Sequence, residues 1–191
     1  MNIPNILTIA RFFLTALFIY YILKADFIST VVAFGVFIVA SLTDYLDGFL
    51  ARKYNLITGF GKLMDPIADK FLVLSAFFVF AKLGFIFWWM FIIITLREVY
   101  VTVVRLLALR QGKVLAAESL GKYKTVLQMI AVYFILLYSI FQQTSMAQNL
   151  STQTLQAWRI VINGLMLAVV MLTVISGISF IRNLRHANHT G

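Results

Sequence analysis

The sequence predicts an all-α, polytopic integral membrane protein with six transmembrane helices and both termini cytoplasmic. Three observations lead there. Of 191 residues, 62% are hydrophobic and only 12% charged, with a mean hydropathy of +0.94, whereas soluble domains are about 45–50% apolar and about 25% charged. The apolar residues fall in six runs, near 5–24, 29–50, 66–83, 85–108, 123–142 and 156–181, each close to the roughly 20 residues that a spanning helix needs. With the N-terminus inside, 13 Lys and Arg fall on the inner side or inner helix ends, and 3 (Lys24, Lys82, Arg159) fall outside, as the positive-inside rule requires. The chain reads as one membrane domain over 1–191, with no room for a separate soluble unit.

Composition also excludes several chemistries. There is no cysteine, so disulfides and thiolate metal sites are out, and any metal must be held by oxygen or histidine. The net charge of +9 is read as topology and contact with anionic lipid. Its cations form no basic stripe interleaved with aromatics on a polar domain, which argues against nucleic acid.

The first run is a retained helix rather than a cleaved leader: its only early cation, Arg11, lies ten residues in, and no small-x-small pattern follows. Asn5, Thr8 and Arg11 recur at i, i+3, i+6 along one side of its start. By themselves they read equally well as a cap by Asn5 and a topology-setting Arg11. The second run carries Asp44 and Asp47 in its last turns. Residues 52–64 form a short inner connection, and the third run opens near Asp65, with Pro66 in its first turn and Asp65 a candidate cap. Gly84 makes an outer turn, after which Trp88 and Trp89 suit an aromatic belt at the interface. The fourth run carries Arg97 and Arg105, eight residues and about two turns apart on one face, with Glu98 beside Arg97 as a local counter-charge. Arg110 and Lys113 are inner-loop anchors, and Lys122 and Lys124 open the fifth run. Gln142, Gln143, Gln148, Asn149 and Gln153 make a solvated outer loop. The last run is generic apolar helix, in which Ser176, Gly177 and Ser179 favour close packing, and His186 and His189 lie in a frayed tail.

Four of the seven acidic residues, Asp44, Asp47, Asp65 and Asp69, fall within 26 positions. Asp44 and Asp47 are i, i+3 and Asp65 and Asp69 are i, i+4, so each pair shares a helix face. A charge at mid-membrane costs about 2.5–3.5 kcal/mol on insertion scales, and four carboxylates repel unless protons or cations neutralise them. With neither thiol nor histidine nearby, a hard cation such as Mg²⁺ or Mn²⁺ is the natural partner. The carboxylates suffice for two ions roughly 3.5–4 Å apart, an arrangement used in phosphoryl transfer. Gly48 and Ala51 remove bulk beside Asp47, Arg52 offers a guanidinium fork to phosphate, and Gly61 loosens the approach to the second pair.

The full spacing, Asp44-x2-Asp47-Gly48-x2-Ala51-Arg52-x8-Gly61-x3-Asp65-x3-Asp69, matches the signature of the CDP-alcohol phosphotransferase family at all eight fixed positions. A chance match in a chain this long is on the order of one in 10⁷ to 10⁸. The resemblance implies a six-helix membrane enzyme, a homodimer, that transfers a substituted phosphoryl group from a CDP-linked donor to an alcohol and releases CMP. It implies that Asp44, Asp47, Asp65 and Asp69 hold the metal, two ions, and that Asp69 is the general base. It implies that Asn5, Thr8, Arg11, Asp47, Gly48, Ala51, Arg52 and Gly61 bind the CDP moiety. The stretch from Arg97 to Gln128, above all its REV…R helix and GKYKTVLQ run, is similar to the bacterial members that use glycerol 3-phosphate, the phosphatidylglycerophosphate synthases. That similarity implies CDP-diacylglycerol as donor, an acceptor phosphate bound among Arg97, Arg105, Lys122 and Lys124, and a site facing the cytoplasm from a bacterial inner membrane. Two other readings stay open: a sister enzyme whose acceptor is phosphatidylglycerol, inositol phosphate or serine, and a cation transporter using the aspartates as an ion path.

Overall fold

The apolar runs become helices because in lipid every peptide group must find its partner within the segment. The computed structural model describes the backbone of residues 3–54, 59–110 and 119–189, and side chains for 9–43, 67–68, 70–108, 121–147 and 149–184. Among the described residues there is no strand. The helices are α1 (Ile3–Ile22), α2 (Phe27–Tyr54), α3 (Gly59–Lys82), α4 (Trp88–Arg110), α5 (Ser119–Gln142), a four-residue α6 (Ser145–Gln148) and α7 (Thr152–His189). Six of them are at least 20 residues long.

α1 packs against α2 and α3, α3 against α4 and α5, α2 against α5, and α7 against α4 and α5. Their common core is aromatic and branched-aliphatic. Phe18 of α1 meets Phe37 of α2 at 5.4 Å between ring centres, and Phe37 meets Tyr133 of α5 edge-on at 5.5 Å. Phe77 and Phe80 of α3, Ile94 of α4, Ile135 and Leu136 of α5 and Met166 of α7 complete it. The outward face is apolar too, with Phe13, Ile28, Leu96, Val126 and Ile160 exposed. Large exposed apolar surfaces mark contact with lipid or partners. Two stretches among the described residues, Gly121–Gln142 and Thr152–Leu184, are long and apolar enough to cross a membrane, and Ile9–Ile22 and Phe27–Thr43 are shorter apolar helices. The architecture is consistent with a membrane protein.

Several hydroxyls inside the bundle are satisfied locally. Thr15 donates to the Arg11 carbonyl at 2.8 Å, Ser41 to Phe37 at 2.8 Å, and Thr173 to Val169 at 2.7 Å, the i−4 bond that quiets a polar side chain in an apolar setting. The turns are equally local. Gly84, at φ +76°, follows α3, with its N–H on the Ala81 carbonyl and that of Phe85 on the Phe80 carbonyl. This is a Schellman closure, which needs the left-handed residue glycine adopts freely. Asp26 caps α2 by accepting the Ser29 N–H at 2.8 Å, and that bond holds its carboxyl below the usual carboxylate range.

Several helix ends differ from the hydropathy reading. The connection expected over 52–64 is mostly helical, since α2 continues to Tyr54 and α3 begins at Gly59. Asp65 therefore sits six residues inside α3 and cannot be its cap, and Pro66 is past the first turn. Asn5 is likewise inside α1 rather than at its cap. α6 interrupts the expected outer loop, and α7 extends through His186 and His189 in place of a frayed tail. Hydropathy measures the oily part of a helix, whereas Leu, Ala, Arg and Lys propagate the helix beyond it. At 1.5 Å per residue α7 is about 57 Å long, well beyond a hydrocarbon core of about 30 Å.

Candidate active site

The end of one helix and the start of the next carry the aspartate motif. Asp44, Asp47, Gly48, Ala51 and Arg52 lie in the last three turns of α2, and Gly61, Asp65 and Asp69 in the first three of α3. The side chains of these eight residues, and those of Asn5 and Thr8, lie outside the described set, as does Lys113. Their helical register is described, and it keeps the i, i+3 and i, i+4 pairings, so each carboxylate pair shares a face. An all-oxygen donor set on two adjoining helix ends fits a hard divalent cation such as Mg²⁺. α1, which packs against both helices, buries Arg11 to 1% exposure. A cation so deep is costly unless it answers negative charge.

One residue after Asp69, Lys70 leads into a second polar centre. Glu98 of α4, 3% exposed, accepts on Oε1 from Arg97 Nη1 at 3.2 Å, from Gln128 Nε2 at 3.4 Å, and from Lys124 Nζ in close contact. Lys70 Nζ lies 3.9 Å from its other oxygen. Lys124 is 2% exposed, Arg97 14% and Lys70 24%. The cluster thus joins α3, α4 and α5. It reaches α7 as well, because Arg97 Nη2 donates to Ser176 Oγ at 2.8 Å and that hydroxyl donates to the Thr173 carbonyl at 3.2 Å. Gly177 lets the arginine lie flat: a Cβ there would stand 3.2 Å from Arg97 Cγ.

Arg97 and Lys124 share one carboxylate, so positive charge is in surplus even before Lys70 is counted. Arg97 Nε and Arg105 Nε are also buried with no hydrogen-bond partner among the described residues. Buried donors left over beside surplus cations suit an anion with several oxygens.

Of the four residues expected at an acceptor phosphate, the structure brings Arg97 and Lys124 together. Arg105 stands two turns along α4 with its guanidinium 6.0 Å from the Phe180 ring centre, a cation–π distance, and Lys122 is exposed. The sequence reading undervalued Glu98, which is a hub for three cations rather than a local counter-charge for Arg97. It gave Lys70 and Gln128 no part in the site, and it read Ser176 and Gly177 of the last helix for close packing alone. The signal for Glu98 was present: a carboxylate inside an apolar run carries the same insertion cost that drew attention to the aspartates. Gln128, one turn after Lys124, shares its face.

Comparison with known proteins identifies the family. A family model for CDP-alcohol phosphatidyltransferase matches residues 1–175. The chain is 40% identical over 152 residues to the CDP-diacylglycerol–glycerol-3-phosphate 3-phosphatidyltransferase of Bacillus subtilis (strain 168), covering 73% of this chain and 78% of that protein. It is 41% identical over 134 residues to a probable phosphatidylglycerophosphate synthase of Mycobacterium tuberculosis (strain CDC 1551 / Oshkosh), covering 69% of this chain and 64% of that one. A Rickettsia typhi (strain ATCC VR-144 / Wilmington) protein bearing the same name as the Bacillus one is 39% identical over 139 residues, covering 72% of this chain and 78% of its own length. Paired carboxylates at fixed register, the glycine, alanine and arginine between them, and a match over most of the length converge on one conclusion: the chain belongs to the CDP-alcohol phosphatidyltransferase family.

Proposed function

We propose that this protein moves the phosphatidyl group of CDP-diacylglycerol to glycerol 3-phosphate, giving phosphatidylglycerophosphate and CMP. The names of its relatives support the reaction. The observation that carries the acceptor is the surplus of positive charge around the buried Glu98 of α4, where Arg97 and Lys124 share its carboxylate and Lys70 of α3 stands 3.9 Å away. A phosphorylated alcohol would place its phosphate on Arg97 and Lys124 and its hydroxyl toward Asp69.

In this mechanism Asp69 removes the proton from the acceptor's primary hydroxyl, a contribution typically worth 10²–10⁴-fold. The oxygen attacks the phosphorus bonded to diacylglycerol, the bond from that phosphorus to CMP breaks, and in-line displacement inverts its configuration. Asp44, Asp47, Asp65 and Asp69 would hold Mg²⁺ or Mn²⁺, two ions, whose positive charge offsets that of the pyrophosphate and the departing CMP. Asn5, Thr8 and Arg11 from α1, with Asp47, Gly48, Ala51, Arg52 and Gly61, surround the nucleotide. The six long helices span a bacterial cytoplasmic membrane with both termini inside, and the protein works as a homodimer. Acyl chains then stay in the bilayer while CDP and glycerol 3-phosphate approach from the cytoplasm.

The test is CMP release by the purified protein with CDP-diacylglycerol. Release should require glycerol 3-phosphate, stop with EDTA, and return with Mg²⁺ or Mn²⁺. Release that ignores glycerol 3-phosphate but responds to phosphatidylglycerol, inositol phosphate or serine overturns the acceptor. Release undiminished by EDTA overturns the metal site.

A further inference from the structure

Glu98 poses a physical puzzle in a site proposed to bind phosphate. A buried carboxylate repels the anion that the surrounding cations attract, so it should weaken the pocket unless it does something else. Its geometry says what. Glu98 makes ion pairs with side chains from α3, α4 and α5 at once. Its Oε1 gathers the tips of Lys124, Arg97 and Gln128, while Oε2 faces Lys70. Arg97 is pinned from the other side by Ser176. Without that centre, Arg97 and Lys124 would repel each other and spread over several rotamers.

We infer that Glu98 is a positioning residue for the acceptor: it holds Arg97 and Lys124 at the spacing one phosphate needs and ties both to the helix that carries Asp69. The carboxylate accepts one N–H from each cation and leaves their remaining donors for phosphate oxygens. An arginine has five donors and a lysine three, so both can serve Glu98 and an anion together. Presetting these two long side chains removes an ordering cost that binding would otherwise bear. The Lys70 contact ties the arrangement to α3, the helix whose backbone carries Asp69. This role rests on the proposed acceptor and goes beyond it, since the family motif contains neither Glu98 nor its partners.

The experiment compares wild type with Glu98→Gln, Glu98→Asp and Ser176→Ala, all in detergent–lipid micelles. Glu98→Gln keeps the shape and removes the charge. Its KM for glycerol 3-phosphate should rise at least about tenfold, the scale of a lost charged hydrogen bond, while the KM for CDP-diacylglycerol stays within about twofold. Glu98→Asp should recover part of the loss, and Ser176→Ala should show the same acceptor-only rise in smaller measure. An acceptor KM that is unchanged or lower makes Glu98 a competing counter-ion and overturns the proposal. Equal rises in both KM values reduce it to a general structural residue, which also overturns it. If Glu98→Gln does not fold, the acceptor-only pattern in Glu98→Asp and Ser176→Ala decides. Binding of inorganic phosphate, read by thermal shift, separates the two proposals. Wild type that ignores glycerol 3-phosphate sinks the acceptor assignment, while weakened phosphate binding in Glu98→Gln would still support the positioning role and unchanged binding would still remove it.

Discussion

At the scale of single residues, the proposed chemistry divides between carboxylates that would hold metal or take a proton and cations that would meet anions. In that proposal Asp69 does both, as the last ligand of the motif and as the base. Asp69→Asn keeps the size and removes the proton-accepting charge, so CMP release should fall by at least about 10²-fold while CDP binding, followed by isothermal titration, stays largely intact. Near-normal turnover would remove Asp69 as the base. Arg11 and Arg97 show the converse principle: the first is buried and the second half-buried in an apolar bundle, and such cations persist where other groups answer them. The Arg97–Ser176 bond spans 79 positions of sequence, which explains why no local pattern announced it.

At the scale of elements, helix ends and helix contacts matter more than helix interiors. α3 closes on a glycine at φ +76°, and a Cβ added there would meet nothing within 4 Å. Gly84→Ala therefore meets no clash, only the left-handed backbone cost of roughly 1–2 kcal/mol. A drop in detergent melting temperature with unchanged kcat is the expected result, and lost activity at full stability would contradict it. The contact between α4 and α7 behaves differently, because a Cβ at Gly177 would stand 3.2 Å from Arg97 Cγ. Gly177→Val should push the guanidinium off Ser176 and raise the KM for glycerol 3-phosphate, with Gly177→Ala showing a smaller rise. If steady-state kinetics give the valine variant an unchanged acceptor KM, Arg97 does not serve the acceptor. The last apolar run, which reads as generic helix, thereby acquires a part in seating the fourth.

At the scale of the whole molecule, the proposed topology has a direct readout, because the chain contains no cysteine. A cysteine replacing Ser151, exposed between α6 and α7, should react with a membrane-impermeant maleimide in intact cells. One replacing His189 should react only after permeabilisation. The reverse pattern would invert the orientation and put the aspartates on the wrong side for cytoplasmic substrates. Much of this architecture was legible from residue order. The apolar runs located all six long helices, because an apolar run of about 20 residues is most stable as a helix whose backbone satisfies itself. The Gly84 turn was legible because glycine alone adopts that backbone freely. The helix ends were not, as Asp65 and Pro66 show, because charged residues stop a hydropathy signal without stopping a helix.

The order of residues along the chain was enough for the family and its aspartate motif, since Asp44, Asp47, Asp65 and Asp69 lie close enough for helical period and spacing to pair them. How the cations proposed for the acceptor are arranged came from packing alone. Lys124 lies 26 positions from Glu98, Gln128 30, and Ser176 79 from Arg97, and which of these side chains meet depends on how α3, α4, α5 and α7 pack. Packing is a property of faces buried against one another, and a buried carboxylate selects its partners by desolvation and charge among whatever those faces bring within reach.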